Sequence, residues 1–516
     1  MSRRLFYAVS ALISILALFL ARLTILNPSL KSSPPVVGRA NVVLFLVNSE
    51  AGLSNVLVAT AKSLLEEHPA VEIHFASFAP LAPQLERISS YVHTKNPSNP
   101  ARDVVFHQLP DLSLTRAIKL SGRTMSNMAH PPGLDGISQI CGDIQFYVSP
   151  WSGEDHYVLY QRLIDIIDQV DPAIIVLDTI FRPGIDATRE KNRLHAFISP
   201  NTLIDNFVME QPYGSMFWKY PLSASGIPYP VPWRRIPENI YLTLRFIYSV
   251  LSMSDIKKKQ AFLKSQGLSD PINFYNLHRP DVPWFTQTLP GASRPLYKIP
   301  QNVSCLGPMS ISLGEASEQD LNMVSWLAQK PTILVNFGSG FTWMEPKAAA
   351  MASALAHVLE QTDLQVLWKF RKDTTDPFDN VDRGIEYDNA FIMPLQPFIN
   401  SGRVKMFPWL SVDPTALLKT GHIAVSVHHG GAGCYHEAIE AGVPQLVLPQ
   451  WFDLYNFAQL VEEIGVGVWG CPETSPDWTV ECLEDALLRV VKDNPGSQFA
   501  ASEIARLAAA GKNKGM

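Results

Sequence analysis

Between Val425 and Asn456 the chain reads VSVHHGGAGCYHEAIEAGVPQLVLPQWFDLYN. An apolar run ends in the turn His428-His429-Gly430-Gly431-Ala432-Gly433-Cys434, and a helical stretch from Cys434 to Ala441 follows. A glycine-rich turn at a helix start aims backbone N–H groups and the positive end of the helix at one point, so the chemistry it serves is the binding of a phosphate or another anion. His429 stands just before the glycines. Glu437 lies eight residues beyond it, and Asp453 sixteen residues after Glu437. A second unit of this kind, Thr332 to Asn336 followed by Phe337-Gly338-Ser339-Gly340, offers a serine at a strand end. No DxD triad occurs anywhere in the chain.

Two series of strands and helices must position these residues. Asn41–Val47, Val71–Ser77 and Ala173–Leu177 read as buried strands, with helices at Ser54–Glu67 and Tyr157–Val170. After a proline- and aromatic-rich stretch from Asn201 to Pro300, a second series opens at Thr332–Asn336. It runs through a helix near Pro346–Glu360 and the strands Gln365–Phe370, Val404–Phe407, Ile423–Val427 and Gln445–Leu448. This alternation predicts an α/β chain of two doubly wound parallel sheets, each Rossmann-like, with ligands beyond the carboxyl ends of the strands in the cleft between the halves. The expected segments are 1–39 for an anchor and linker, 40–305 for a first Rossmann-like domain, 306–490 for a second, and 491–516 for a helix packing back toward the first half.

At 516 residues and 47% apolar content the chain is long enough for two buried cores. A net charge of −6, with no basic stripe, excludes a nucleic-acid surface. The five cysteines, Cys141, Cys305, Cys434, Cys471 and Cys482, show no CxxC spacing, which points to neither a zinc site nor a disulfide framework, with free thiols expected and room for one or two disulfides at most. The segment Leu5–Leu20, after Arg3-Arg4, is unbroken by charge and predicts a single-pass membrane anchor at the endoplasmic reticulum, either side being open for the body. One sequon, Asn302-Val303-Ser304, would be usable in the lumen.

The pattern from residue 40 onward resembles the UDP-glycosyltransferases of family 1, which have two Rossmann-like domains in the GT-B arrangement. That resemblance implies acceptor binding for 40–305 and donor binding for 306–490. The glycine turn is similar to the HHGGAGT form of sterol and antibiotic glycosyltransferases, and the first half looks like that of fungal membrane-anchored relatives. The resemblance implies that His429 bonds the diphosphate and that Gly431, Ala432, Gly433 and Cys434 supply backbone donors to it. It implies further that Ser339 contacts a phosphate, Glu437 accepts the ribose hydroxyls, Trp409 stacks on uracil and Asp453 binds the donor sugar. Leu454 stands where relatives carry glutamine, or histidine in some galactose users, so one sugar contact is missing. The family reaction is an inverting single displacement assisted by a base. No cofactor and no metal is expected, because amides, a helix end and His429 neutralise the leaving diphosphate.

The first half departs from the family. The usual base is a histidine at the first strand-to-helix turn, and Leu53 occupies that position. Asp178 matches the aspartate that orients the missing histidine. Asp178 and Glu50 are therefore the candidate bases, with His74, His93, His107 and His195 as outsiders. The aromatic wall and the apolar run Ile240–Leu251 suit an apolar acceptor such as a terpenoid, sterol, polyketide or lipid, with glucose as the expected sugar. The alternative is a transferase-like nucleotide-binding or scaffold subunit impaired in catalysis, which Leu53 and Leu454 favour.

Overall fold

The computed structural model describes residues 33–98, 100–124, 127–273, 277–371, 390–492 and 494–512. The expected anchor Leu5–Leu20 lies outside them. Among the described residues no helix is long and apolar enough to cross a membrane.

Residues 37 to 516 form one compact unit built on two parallel sheets. The first holds β1 (Arg39–Leu46), β2 (Glu72–Ser77), β3 (Val105–Gln108), β4 (Pro172–Asp178), β5 (His195–Ser199), β6 (Trp284–Thr286) and β7 (Val303–Cys305), in the order β3-β2-β1-β4-β5-β6-β7. The second holds β8 (Thr332–Val335), β9 (Gln365–Lys369), β10 (Val404–Phe407), β11 (Ile423–His428), β12 (Gln445–Val447) and β13 (Gly467–Trp469), in the order β10-β9-β8-β11-β12-β13. Their central strands are mostly apolar because helices cover both faces. Leu44, Phe45 and Leu46 of β1 are fully buried, as are Ile333 and Val335 of β8.

In each sheet the strand order reverses once, between β1 and β4 and between β8 and β11. Chains leaving such a pair diverge to opposite faces and leave a crevice at the strands' carboxyl ends. Asn48, Glu50 and Asp178 stand at the first reversal, and Ser339 and His429 at the second.

The stretch 201–300 is more regular than its sequence suggests. It contributes helices Ile236–Ser252 and Ser254–Ser265 and the short strand β6. The carboxyl-terminal helix Asn494–Lys512 packs on the helix Ala432–Ala441. Its Ala501 and Ile504 share a buried cluster with Ile227 and Leu289 of the first half and Tyr435 of the second. Polar links join the halves as well. Arg294 donates to Glu463 from Nε (2.8 Å) and Nη2 (2.6 Å), Tyr435 Oη to Ala292 O (2.7 Å), and the Phe452 amide to His130 Nε2 (2.9 Å).

The structure fixes the state of the five cysteines. Cys471 and Cys482 form a disulfide, with their Cα atoms 5.7 Å apart, while Cys141, Cys305 and Cys434 are free. Cys471 follows β13 and Cys482 sits in the first turn of Val480–Lys492, so the fold brings together a pair whose spacing carries no signal. The sequon asparagine is also committed: Asn302 Nδ2 donates to Arg279 O (3.0 Å) and Val282 O (2.7 Å).

Candidate active site

The glycine turn is built around one imidazole. A Cβ added to Gly338 would lie 2.8 Å from the His429 ring, and one added to Gly431 2.6 Å from it, so only glycine lets the two turns close on the histidine. Phe337 and Trp451 flank the same ring, with centroids 6.2 and 5.9 Å away. Burial, aided by His428 and Lys369, pushes His429 down to about 3. It is therefore a neutral hydrogen-bonding group at physiological pH, and its Nδ1 is buried with no partner among the described residues. The preceding His428 is structural. Its Nδ1 accepts from the Gly430 amide (3.0 Å), which leaves the proton on Nε2 to bond Gln445 Oε1 at 2.8 Å.

The helix Ala432–Ala441 begins at Gly431 with no side-chain cap, so its first amides keep their capacity for an anion. Ala432, Gly433 and Cys434 lie in that first turn. The Cys434 thiol reaches Asn336 O at 3.8 Å, and burial raises its pKa well above the ordinary thiol range. It is no nucleophile. Glu437 follows on the same helix, and burial, then the charge of Glu440, raises its carboxyl to about 8. Ser339 stands opposite, its carbonyl accepting from Arg371 Nη1 at 2.5 Å.

Trp409 is 53% exposed, so it is a surface platform and no part of the core. Lys369, the last residue of β9, holds its ammonium 3.6 Å above the Trp409 ring centroid and donates to Gly338 O at 3.1 Å. This lysine escaped the sequence reading. One cation thus spans the platform and the glycine turn, and its charge is felt at His429, Cys434 and Glu437.

Asp453 sits at the cleft. Asn201 of the first half donates to its Oδ2 at 3.2 Å, and burial, then the charge of Asp205, raises its carboxyl to about 7. Leu454 turns away into the second half's core, so it offers no polar group to a sugar. Beside Asp453, the ring of Phe452 stacks against Tyr147 (5.9 Å) and Phe246 (5.7 Å). The Tyr147 hydroxyl is buried with no partner among the described residues.

At the other reversal the two candidate bases differ. Asp178 is buried, its Oδ2 accepts from Asn48 Nδ2 (2.9 Å), and its Oδ1 accepts from the Ile180 amide (2.8 Å). Asn48, and no histidine, is the side chain that Asp178 holds, a pairing the sequence reading missed. Glu50 is anchored through one oxygen only. Its Oε1 accepts from the Thr115 amide (2.8 Å), and its Oε2 is buried without a partner among the described residues. Burial raises the Glu50 carboxyl above its ordinary range, and the Asp178 charge adds to the rise. Leu53 is half-buried in the first turn of the helix Ala51–Glu67. The outsider histidines are engaged elsewhere: His74 with His107 (2.8 Å), His93 with Ala101 O (2.7 Å) and His195 with Arg193 O (2.8 Å).

Comparison with known proteins agrees with this architecture. Residues 403–512 match the family model described as the C-terminal domain of erythromycin biosynthesis protein CIII-like proteins. The glycosyltransferase sdnJ of Sordaria araneosa is 34% identical over 480 residues, covering 89% of this chain and 92% of that protein. A sterol 3-beta-glucosyltransferase of Candida albicans is 24% identical over 297 residues, covering 52% of this chain and 18% of that protein. In fold, the chain is similar to the crystal structure of UDP-glucose: anthocyanidin 3-O-glucosyltransferase in complex with UDP. The TM-score is 0.53 at 14% identity, covering 92% of this chain and 98% of that one. With the sdnJ match spanning nearly all of both chains, this protein belongs to the UDP-glycosyltransferases of family 1 and is an enzyme of that family.

Proposed function

We propose that this glycosyltransferase moves glucose from UDP-glucose, with inversion and without a metal, to a hydroxyl of an apolar small molecule such as a terpenoid, sterol, polyketide or lipid. The observation that carries the donor half of this reading is the uncapped start of the helix Ala432–Ala441 beside neutral His429. Amides of Gly431, Ala432, Gly433 and Cys434, the His429 N–H and Ser339 would hold the diphosphate. Lys369 would add the positive charge that a metal supplies in other transferases. Glu437 would accept from the ribose, Trp409 would carry the uracil, and Asp453 would bind the sugar. The stack of Phe246, Phe452 and Tyr147 supports an apolar acceptor arriving next to Asp453.

Of the two carboxylates this reading takes Glu50 as the base, which the engagement of both Asp178 oxygens supports. In this step the acceptor hydroxyl proton passes to Glu50 Oε2 while the acceptor oxygen bonds the anomeric carbon. The bond from that carbon to the diphosphate oxygen breaks, and UDP leaves with the electron pair. Asp178, clamped by Asn48, would hold the turn that carries Glu50. The membrane anchor at Leu5–Leu20 remains part of this reading.

The test is calorimetric titration of UDP and a set of UDP-sugars into the full chain, followed by UDP-release assays with apolar alcohols. Glu50→Gln should bind UDP as the wild type does and lose about 10²- to 10⁴-fold in turnover, the usual worth of a positioned base. The impaired-subunit alternative, which the core-facing Leu454 favours, predicts UDP binding with no turnover in the wild type itself.

A further inference from the structure

One surface of the first half carries aromatic and aliphatic side chains that its fold leaves in water. Tyr213 is 86% exposed, Trp233 75%, Met209 49%, Tyr297 48%, Ile299 44% and Trp218 40%. These residues form one neighbourhood. Trp218 Nε1 donates to Tyr213 O (3.1 Å), and the Trp218 and Tyr297 rings lie 6.3 Å apart. Gln211, two residues from Met209, exchanges hydrogen bonds with Lys298 (3.0 and 3.1 Å), and the Val231 amide donates to Lys219 O (2.9 Å), which brings in Trp233.

The presentation is deliberate in backbone terms. Tyr213 has a φ of 62°, a left-handed conformation that a bulky residue adopts only under strain. Among the described residues Tyr213 is the most exposed aromatic side chain, and the turn holds it out into water. Large exposed apolar groupings mark interaction sites on soluble bodies.

The chemistry of the neighbourhood points to the partner. Tyrosine and tryptophan are the side chains that favour the boundary between hydrocarbon and water, with an apolar ring and a polar tip. Cations are interleaved with them. Lys219 Nζ lies 3.3 Å from the Tyr297 centroid, Arg234 stacks on Trp233 at 5.1 Å, and Lys298 is exposed. Among the described residues none of these three forms a salt bridge; Glu238 is paired with Arg235, and Glu210, bonded to His278, is one negative charge against the three cations. The free charge of the patch is therefore positive, on a chain whose net charge is −6.

Placement adds a third argument. Residues Tyr297 to Ile299 lead into the amino-terminal end of β7, and β7 is parallel to β1. The chain therefore enters the compact body, at Arg39, at the same end of the sheet. Four strand spacings separate β1 from β7, roughly 19 Å.

We infer that the face formed by Met209, Tyr213, Trp218, Trp233, Tyr297 and Ile299 lies on an anionic lipid surface, with Lys219, Arg234 and Lys298 at the headgroups. The aromatic tips sit in the interface and the body rests against the bilayer on this face. Such docking is independent of the donor chemistry.

The full-length protein is mixed with vesicles of phosphatidylcholine brominated in the acyl chains, with and without phosphatidylserine, and tryptophan emission is followed. Brominated lipid should quench the wild type, and Trp218→Phe/Trp233→Phe should lose most of that quenching while binding UDP normally. Quenching should deepen with phosphatidylserine and weaken with salt, and Lys219→Glu/Arg234→Glu/Lys298→Glu should abolish the phosphatidylserine effect. Equal quenching in the wild type and the double phenylalanine variant overturns the proposal. So does an emission that ignores lipid altogether, which would make the face a protein-docking site. A phosphatidylserine effect that survives the triple charge reversal overturns the assignment of the three cations.

Discussion

Asn201, from the loop after β5, donates to Asp453 Oδ2 at 3.2 Å, so a residue of the first half orients the carboxylate expected to bind the sugar in the second. The Asp453 carboxyl ionises at about 7 because it is buried and close to Asp205. Below that pH it is largely neutral, and above it offers a charged acceptor to sugar hydroxyls. The affinity of UDP-glucose relative to UDP should therefore rise as pH passes through about 7. Asp453→Asn should flatten this dependence, and Asn201→Ala should weaken UDP-glucose while leaving UDP unchanged. Calorimetry with both ligands on either side of neutrality checks it.

Glu437 carries a proton in the ligand-free protein up to about pH 8, whereas the same group in the unfolded chain ionises near the ordinary glutamate value of 4.5. The folded state binds more protons than the unfolded state between those limits, so stability falls as pH rises through that window and levels off above it. Glu437→Gln should remove this slope, with a melting-temperature gain that is larger at the alkaline end. The same carboxylate should ionise when ribose hydroxyls donate to it. UDP binding near pH 7 should therefore release a proton, visible as a binding heat that depends on the buffer. Glu437→Ala should cost about 1.5–3 kcal/mol in UDP affinity, the usual worth of hydrogen bonds to a charged group.

Because Trp409 is half in solvent, its removal should spare the fold and strike the nucleotide. Trp409→Ala should weaken UDP by about 1–3 kcal/mol, the range for a base stacked on an aromatic ring. Trp409→Phe should recover part of the loss, and the thermal melt of both variants should match the wild type. An affinity unchanged in Trp409→Ala would remove the uracil platform from this site.

The disulfide between Cys471 and Cys482 ties β13 to the helix Val480–Lys492, an element of the second half's core. Closing a loop of this length restricts the unfolded chain, so Cys482→Ser should lower stability by about 2–4 kcal/mol. Urea melts with and without dithiothreitol should show the wild type falling to the variant's level and the variant unaffected.

The two parallel sheets were legible because their central strands are largely apolar runs, and those at Thr332–Val335 and Ile423–His428 lead into glycine turns. The strands β3, β5, β6, β7 and β13 went unread; β6, β7 and β13 have three residues each, too few to carry a period, whereas β12, equally short, was read because it continues the glycine-turn unit. The glycine turn and its histidine declared themselves through local order. Asn48 facing Asp178, Lys369 above Trp409 and the Cys471–Cys482 bridge depend on strands distant in sequence meeting in space, and no spacing records such meetings. Leu53 was readable as a departure from the family, but its consequence was not. Only the packed turn shows Glu50 held by one oxygen and Asp178 by two.

The Arg294–Glu463 pair, the Asn201–Asp453 bond and the shared cluster around Tyr435 and Ile504 fasten the two halves together. Asp453 thus belongs at once to that seam and to the expected sugar site. A change that loosens the seam should be felt at the donor even where it leaves the glycine turn alone, so the two halves report on each other through one carboxylate.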